Sequence, residues 1–119
     1  MMNQYIRSRL RSAVDALCDE ELQERLWVRG ERESNSELTF DDAVLLVIDE
    51  LATTRPSDLV GHVLVDDAEL LAFLRLSTSL DALVAVIGDR GTYEDAVATG
   101  LPWQEVLAAA QSLRTIIDA

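Results

Sequence analysis

Apolar residues recur in this chain at intervals of three and four, segment after segment. That period lines them up on one side of an α-helix, and a helix with one apolar side must bury it against another element. The clearest stripe is the last: Trp103, Val106, Leu107, Ala110, Leu113 and Ile117. Pro102 is expected at the first position of that helix, where its missing N–H costs nothing. Near the start, Ile6, Leu10, Val14 and Leu17 predict a helix from about Asn3 to Cys18. A short second helix is expected from Glu20 to Val28, with Asp19 as its N-cap and Leu22 and Leu26 turned inward. A long helix is expected from Asp67 to Ile87, capped by Asp66. Leu70, Phe73, Leu74, Leu80, Leu83, Val84 and Ile87 should line its inner face, with Ser77 as a gap and a kink or break at Ser77-Thr78-Ser79. Gly88 is a suitable stop, and Thr92 a cap for a short turn of helix from Tyr93 to Ala98.

Two segments resist this reading. The run Ala43 to Ile48 is apolar all round, and periodicity alone does not separate a buried helix from a buried strand. Thr39 as a cap, with Asp41 and Asp42 in the first turn where the helix dipole favours anions, tips the segment towards a helix ending near Leu51. Thr53 to Ser57 reads as a turn, because Pro56 disfavours the helical region for Arg55. Val60 to Val65, β-branched with Gly61 inside, is open to an extended conformation. The polar stretch from Gly30 to Leu38 reads as a loop. The expected fold is mainly α: a compact bundle of four or five helices in one domain over residues 1–119, with room for one short extended segment near 60–65.

The 119 residues carry a formal charge of -12, and all ten cations are arginine. So acidic a chain lacks the clustered cations that phosphate binding needs, which argues against direct contact with nucleic acid or an anionic membrane. A basic protein partner is favoured instead, because complementary fields speed encounter. The single cysteine, Cys18, excludes an internal disulfide. The N-terminal MMNQYIRSRLRS has no apolar stretch of signal-peptide length, and the longest apolar runs are too short to span a bilayer. A cytoplasmic protein is expected.

Catalytic and metal-binding signatures are sparse. Zinc sites want several Cys or His at short spacing, and the chain has one of each, Cys18 and His62. Cys18 falls at the end of its helix, where the dipole raises a thiol pKa. His62 is the chain's one imidazole, the side-chain type most often used for proton transfer. No phosphate-binding glycine loop or nucleophile elbow is present. No catalytic residue, metal or cofactor is therefore assigned, and an enzyme is not expected.

Two features concern surfaces. Residues 1–11 carry Arg7, Arg9 and Arg11 and no acid, while the rest of the chain carries seven arginines and all 22 acids. These three cations oppose the helix dipole, so they should pair with the acidic body, pair with a second subunit, or serve as a basic docking arm. Glu31, Glu33, Glu37, Asp41, Asp42, Asp49 and Glu50 are the candidate acidic binding face, with Trp27 and Tyr93 as possible anchors.

Gln23-x-Arg25-x-Trp27, Phe40-Asp41-Asp42, Val60-Gly61-x-x-Leu64-x-Asp66 and Pro102-Trp103 resemble the skeleton of a family of short, uncharacterised proteins of streptomycetes and their relatives. In size, charge and helicity the chain is also similar in kind to the small acidic immunity proteins that neutralise bacterial nuclease toxins. That likeness implies a non-enzymatic protein that occludes a basic partner. Two alternatives stand beside it: a homo-oligomeric structural or regulatory domain, and a small ligand-binding domain or enzyme centred on His62.

Overall fold

Short polar side chains start the helices where the sequence offers them. In the computed structural model, which describes residues 2–31 and 38–118, Asn3 Oδ1 accepts the Ile6 amide at 3.1 Å and opens α1, Gln4–Cys18. Asp19 accepts the Glu21 and Leu22 amides and opens α2, in which α-helical Glu20–Gln23 runs on into a π-helical turn, Glu24–Val28. Thr39 caps α3 through the Asp42 amide; here Phe40–Leu45 continues as π-helical Leu46–Leu51. Asp66 caps α5, Asp67–Ile87, through the Glu69 amide. Thr92 and Asp95 exchange hydrogen bonds in a capping box at α6, Tyr93–Ala98. The remaining helices are a single turn, α4 (Pro56–Leu59), and the C-terminal α7, Leu101–Asp118.

The fold is thus an all-α bundle, with no strand among the described residues. α7 packs on both α5 and α1, and α3 lies against α1 and α5. The shared core holds Leu10, Val14 and Leu17 of α1, Leu46 and Val47 of α3, Phe73, Leu76, Leu80 and Leu83 of α5, and Val106, Ala110 and Leu113 of α7. The radius of gyration is 13.5 Å, in line with the roughly 13.5 Å of a compact domain this long.

Several expectations change in detail. α5 runs unbroken through Ser77-Thr78-Ser79, and Ser79 Oγ donates to the Arg75 carbonyl at 2.9 Å instead of disrupting the ladder. Its inner face takes Leu76, fully buried, while Leu74 points outward at 37% exposure. In α2 the inward positions are Leu26 and Gln23, with Leu22 only half-buried. Pro102 is the second residue of α7, since Gly100 supplies the first carbonyl of that helix. Residues 60–65 form a tight loop with one isolated bridge between Val60 and Leu64. Gly61 sits at φ +95°, so the loop turns back through its amide to the Leu64 carbonyl at 2.7 Å and does not extend.

α5 is long and apolar enough to cross a membrane by length and composition. Its inner face, however, is packed against α7 and carries Glu69, which is 2% exposed. The Arg7 guanidinium reaches Glu69 with two hydrogen bonds of 2.8 and 3.0 Å, and donates a third to the Val63 carbonyl at 2.7 Å.

Candidate functional site

α3 builds the wall of the candidate site. Phe40, Val44 and Ile48 recur every four residues and turn towards the C-terminal end of α5, where Val84 and Ile87 form the facing wall. Gly88 ends α5 with φ +82°, its amide on the Val84 carbonyl at 2.7 Å, and the following turn closes one end of the cleft. The cleft encloses about 240 Å³. Leu45 stands at its mouth, half exposed, and Asp41 and Asp89 are its charged lining residues. Gly91 is buried beneath Ile87: a Cβ there would lie 2.5 to 2.7 Å from Ile87 side-chain atoms, including its Cβ. Gly91→Ala is therefore expected to cost about 1–3 kcal/mol of stability by overpacking. A thermal melt checks this, and an unchanged melting temperature would mean that the cleft end is soft.

On the other side of Phe40 and Asp41 lies a second hollow of about 290 Å³. Trp27, Tyr93 and Arg90 contribute to its lining. Here the aromatic side chains meet edge to face: Trp27 to Phe40 at 5.5 Å, Trp27 to Tyr93 at 5.3 Å, and Tyr93 to Trp103 at 5.8 Å. The Trp27 indole N–H donates to the Leu38 carbonyl at 2.9 Å. The Tyr93 hydroxyl donates to Gln23 Oε1 at 2.9 Å, and Gln23, fully buried, donates in turn to the Ala16 carbonyl. Trp27 and Tyr93 are thus half-buried and locked by packing and hydrogen bonds. Burial pushes the Tyr93 phenol up, and the nearby carboxylates Glu20, Glu94 and Glu24 push it the same way. Those three acids form a second negative region, on α2 and α6, which sequence spacing did not single out.

The candidate acidic residues do not fall on one patch. Asp41, Asp42 and Asp49 are exposed along the outer side of α3. Among the described residues, these three and Asp89 have no ion-pair partner. Glu50 instead pairs with Arg9 at 3.1 Å, and Glu31 with Arg29 at 3.4 Å. Glu33 and Glu37 lie outside the described residues. The cations of the expected docking arm all turn back onto the chain itself. Arg7 pairs with Glu69, Arg9 with Glu50, and Arg11 with Asp118, whose other oxygen faces Arg114 at 3.8 Å. The helix dipole makes α1 a poor place for them, and acids from α3, α5 and α7 compensate. The net result is uneven charge: arginines neutralise acids along α1, while the outer side of α3 stays negative.

His62 is exposed and lines a groove of about 510 Å³ between the start of α1 and the end of α3, with Tyr5, Arg9, Glu50 and Asp58. The Asn3 amide donates to the His62 carbonyl at 2.6 Å. Among the described residues the imidazole has no hydrogen-bond partner to fix its tautomer for acid–base work, and Arg9 and Glu50 already engage each other. Cys18 is buried. Burial pushes its thiol up, against the lowering influence of Arg114, whose Nη1 lies 3.5 Å from the sulfur.

The family model for a domain of unknown function, DUF7945, matches residues 1–119, the full length of the chain. The chain belongs to this family. No curated protein and no solved structure matches it. DUF7945 membership agrees with the resemblance to an uncharacterised family and carries no residue roles, so the cleft and its rim are assigned from geometry alone.

Proposed function

We propose that the chain is a non-enzymatic, acidic binding protein of the cytoplasm whose α3–α5 cleft holds an apolar side chain of a cationic protein partner. Asp41, Asp42, Asp49 and Asp89 would face that partner's cations. The observation that carries this reading is the pairing of an apolar cleft with rim carboxylates that no arginine of the described chain neutralises. An apolar centre with a charged rim is the usual anatomy of a protein interface, and unpaired rim charge speeds encounter with an opposite field. The most concrete form is an immunity-type protein that covers the basic substrate cleft of a nuclease toxin, its carboxylates standing in for phosphates. The partner of that form is a basic protein encoded beside the gene.

The test is binding between the chain and the basic product of an adjacent reading frame, measured with the wild type and with Asp41→Lys/Asp89→Lys. The association rate is expected to fall at least tenfold for the double variant, and to fall steeply as salt rises past about 0.15 M. A rate that ignores both the variant and the salt overturns the reading. So does a neighbouring product that lacks basic character.

A further inference from the structure

We propose that two copies of this chain associate through the outer face of α5, antiparallel and about a two-fold axis at Thr78. This surface is separate from the cleft and does not depend on it.

The argument starts from what α5 leaves outside. Ala68, Leu71, Arg75, Thr78, Ala82 and Ala85 are all exposed, at spacings of three and four in strict alternation. That is a seven-residue repeat, the period that lets one helix lie along another. Leu71 is 69% exposed, Val86 64% and Leu74 37%, so α5 carries three of the large exposed apolar side chains of the described chain.

The pattern is also complementary to itself when reversed. About an axis at Thr78, Leu71 faces Ala85 of the second copy and Leu74 faces Ala82. Large side chains thus meet small ones, and the backbones can approach closely. The same axis sets Arg75 opposite the second copy's Asp81, twice. These two residues are the charges nearest the centre of the face, and they are opposite in sign. A chain of charge -12 repels its copy over most of its surface, Asp67 and Asp89 at the two ends of this face included, but at its centre the two Arg75–Asp81 pairs offset that repulsion. In an isologous contact each residue pair occurs twice, which is the arrangement this self-complementarity provides. A 21-residue helix is about 31 Å long. One such seam lies at the low end of interface sizes, so association is expected at roughly micromolar concentration.

Sedimentation equilibrium over a range of concentrations tests the proposal. The wild type is expected to pass from monomer to dimer, and the dimer to tighten with added salt, because salt screens the repulsion between the two acidic bodies. Leu71→Glu/Ala85→Glu, both at exposed positions, is expected to stay monomeric with unchanged circular dichroism. Asp81→Arg should weaken the dimer at least tenfold, and Arg75→Asp in the same chain should restore it. Thr78→Cys is expected to form a disulfide-linked dimer under mild oxidation, whereas the wild type, with only buried Cys18, and Thr115→Cys should not. A monomer at every concentration overturns the proposal. So does a dimer indifferent to Leu71→Glu/Ala85→Glu, a Thr78→Cys chain that fails to cross-link, or a monomer that instead floats with phospholipid vesicles.

Discussion

Trp103→Ala is expected to lower stability by about 4 kcal/mol, a drop in melting temperature of roughly 10–20 °C. Trp103 is 2% exposed, on the inner stripe of α7. Its ring lies 5.8 Å from Tyr93, edge to face, and 6.4 Å from Phe40, tilted, so truncation removes both buried area and two ring contacts. The void would open between α3, α6 and α7, three elements whose positions depend on the same side chain. Trp27 provides the comparison. It touches the same cluster, but it is only half-buried and its indole N–H is tied to the Leu38 carbonyl. Trp27→Ala should therefore cost clearly less. Thermal unfolding of the two variants side by side decides the matter, and an equal or larger loss for Trp27→Ala would contradict the packing argument.

Arg7→Ala is expected to cost about 3 kcal/mol, and Glu69→Gln distinctly less. Glu69 lies on the inner side of α5 with a side chain 3% exposed, whereas Arg7 retains 20%. Removing the arginine strands a buried carboxylate, the costly half of a broken pair. Removing only the carboxylate's charge leaves an arginine that can still reach water and the Val63 carbonyl. Arg7→Met/Glu69→Leu should recover most of the loss, because apolar replacement of both partners removes the desolvation cost. The pair also sets a pH dependence. Burial by itself would raise the Glu69 carboxyl, but the Arg7 hydrogen bonds and the Val65 amide at 2.9 Å outweigh it and hold the group below its ordinary value. A lowered folded pKa means that the stabilisation is complete above the unfolded value, near pH 4.3, and is lost as pH falls through the folded one. Wild type should lose stability in acid more steeply than the Met/Leu double variant. Parallel acid-induced unfolding curves for the two proteins would contradict this assignment.

Most of the helical framework was legible because it rests on local rules. Asn3, Asp19, Thr39, Asp66 and Thr92 stand at or beside the expected helix starts, and each bonds to amides two or three residues on. The stripes of α1 and α7 face the core as their spacing predicts, since burial follows the helical period directly. Where two neighbouring positions compete for the inside, local rules fall short. Leu74 and Leu76 of α5 lie on opposite sides of the boundary, and only the positions of α7 and α3 choose between them. The π-helical turns at Glu24–Val28 and Leu46–Leu51 carry no sequence signature and arise where α2 and α3 pack onto the bundle.

Sequence alone determined the helical class, the caps and the negative charge. Tertiary structure alone decided what each charge does. It took Arg7, Arg9 and Arg11, adjacent in sequence and outwardly a free cationic arm, and gave each an acid 41 to 107 residues away. Among the described residues it left Asp41 and Asp89 without an ion-pair partner beside an apolar cleft whose two walls come from α3 and α5. The reason is physical: helix formation depends on neighbours within about four residues, whereas Coulomb pairing and cavity shape depend on distance in space, which no local spacing records.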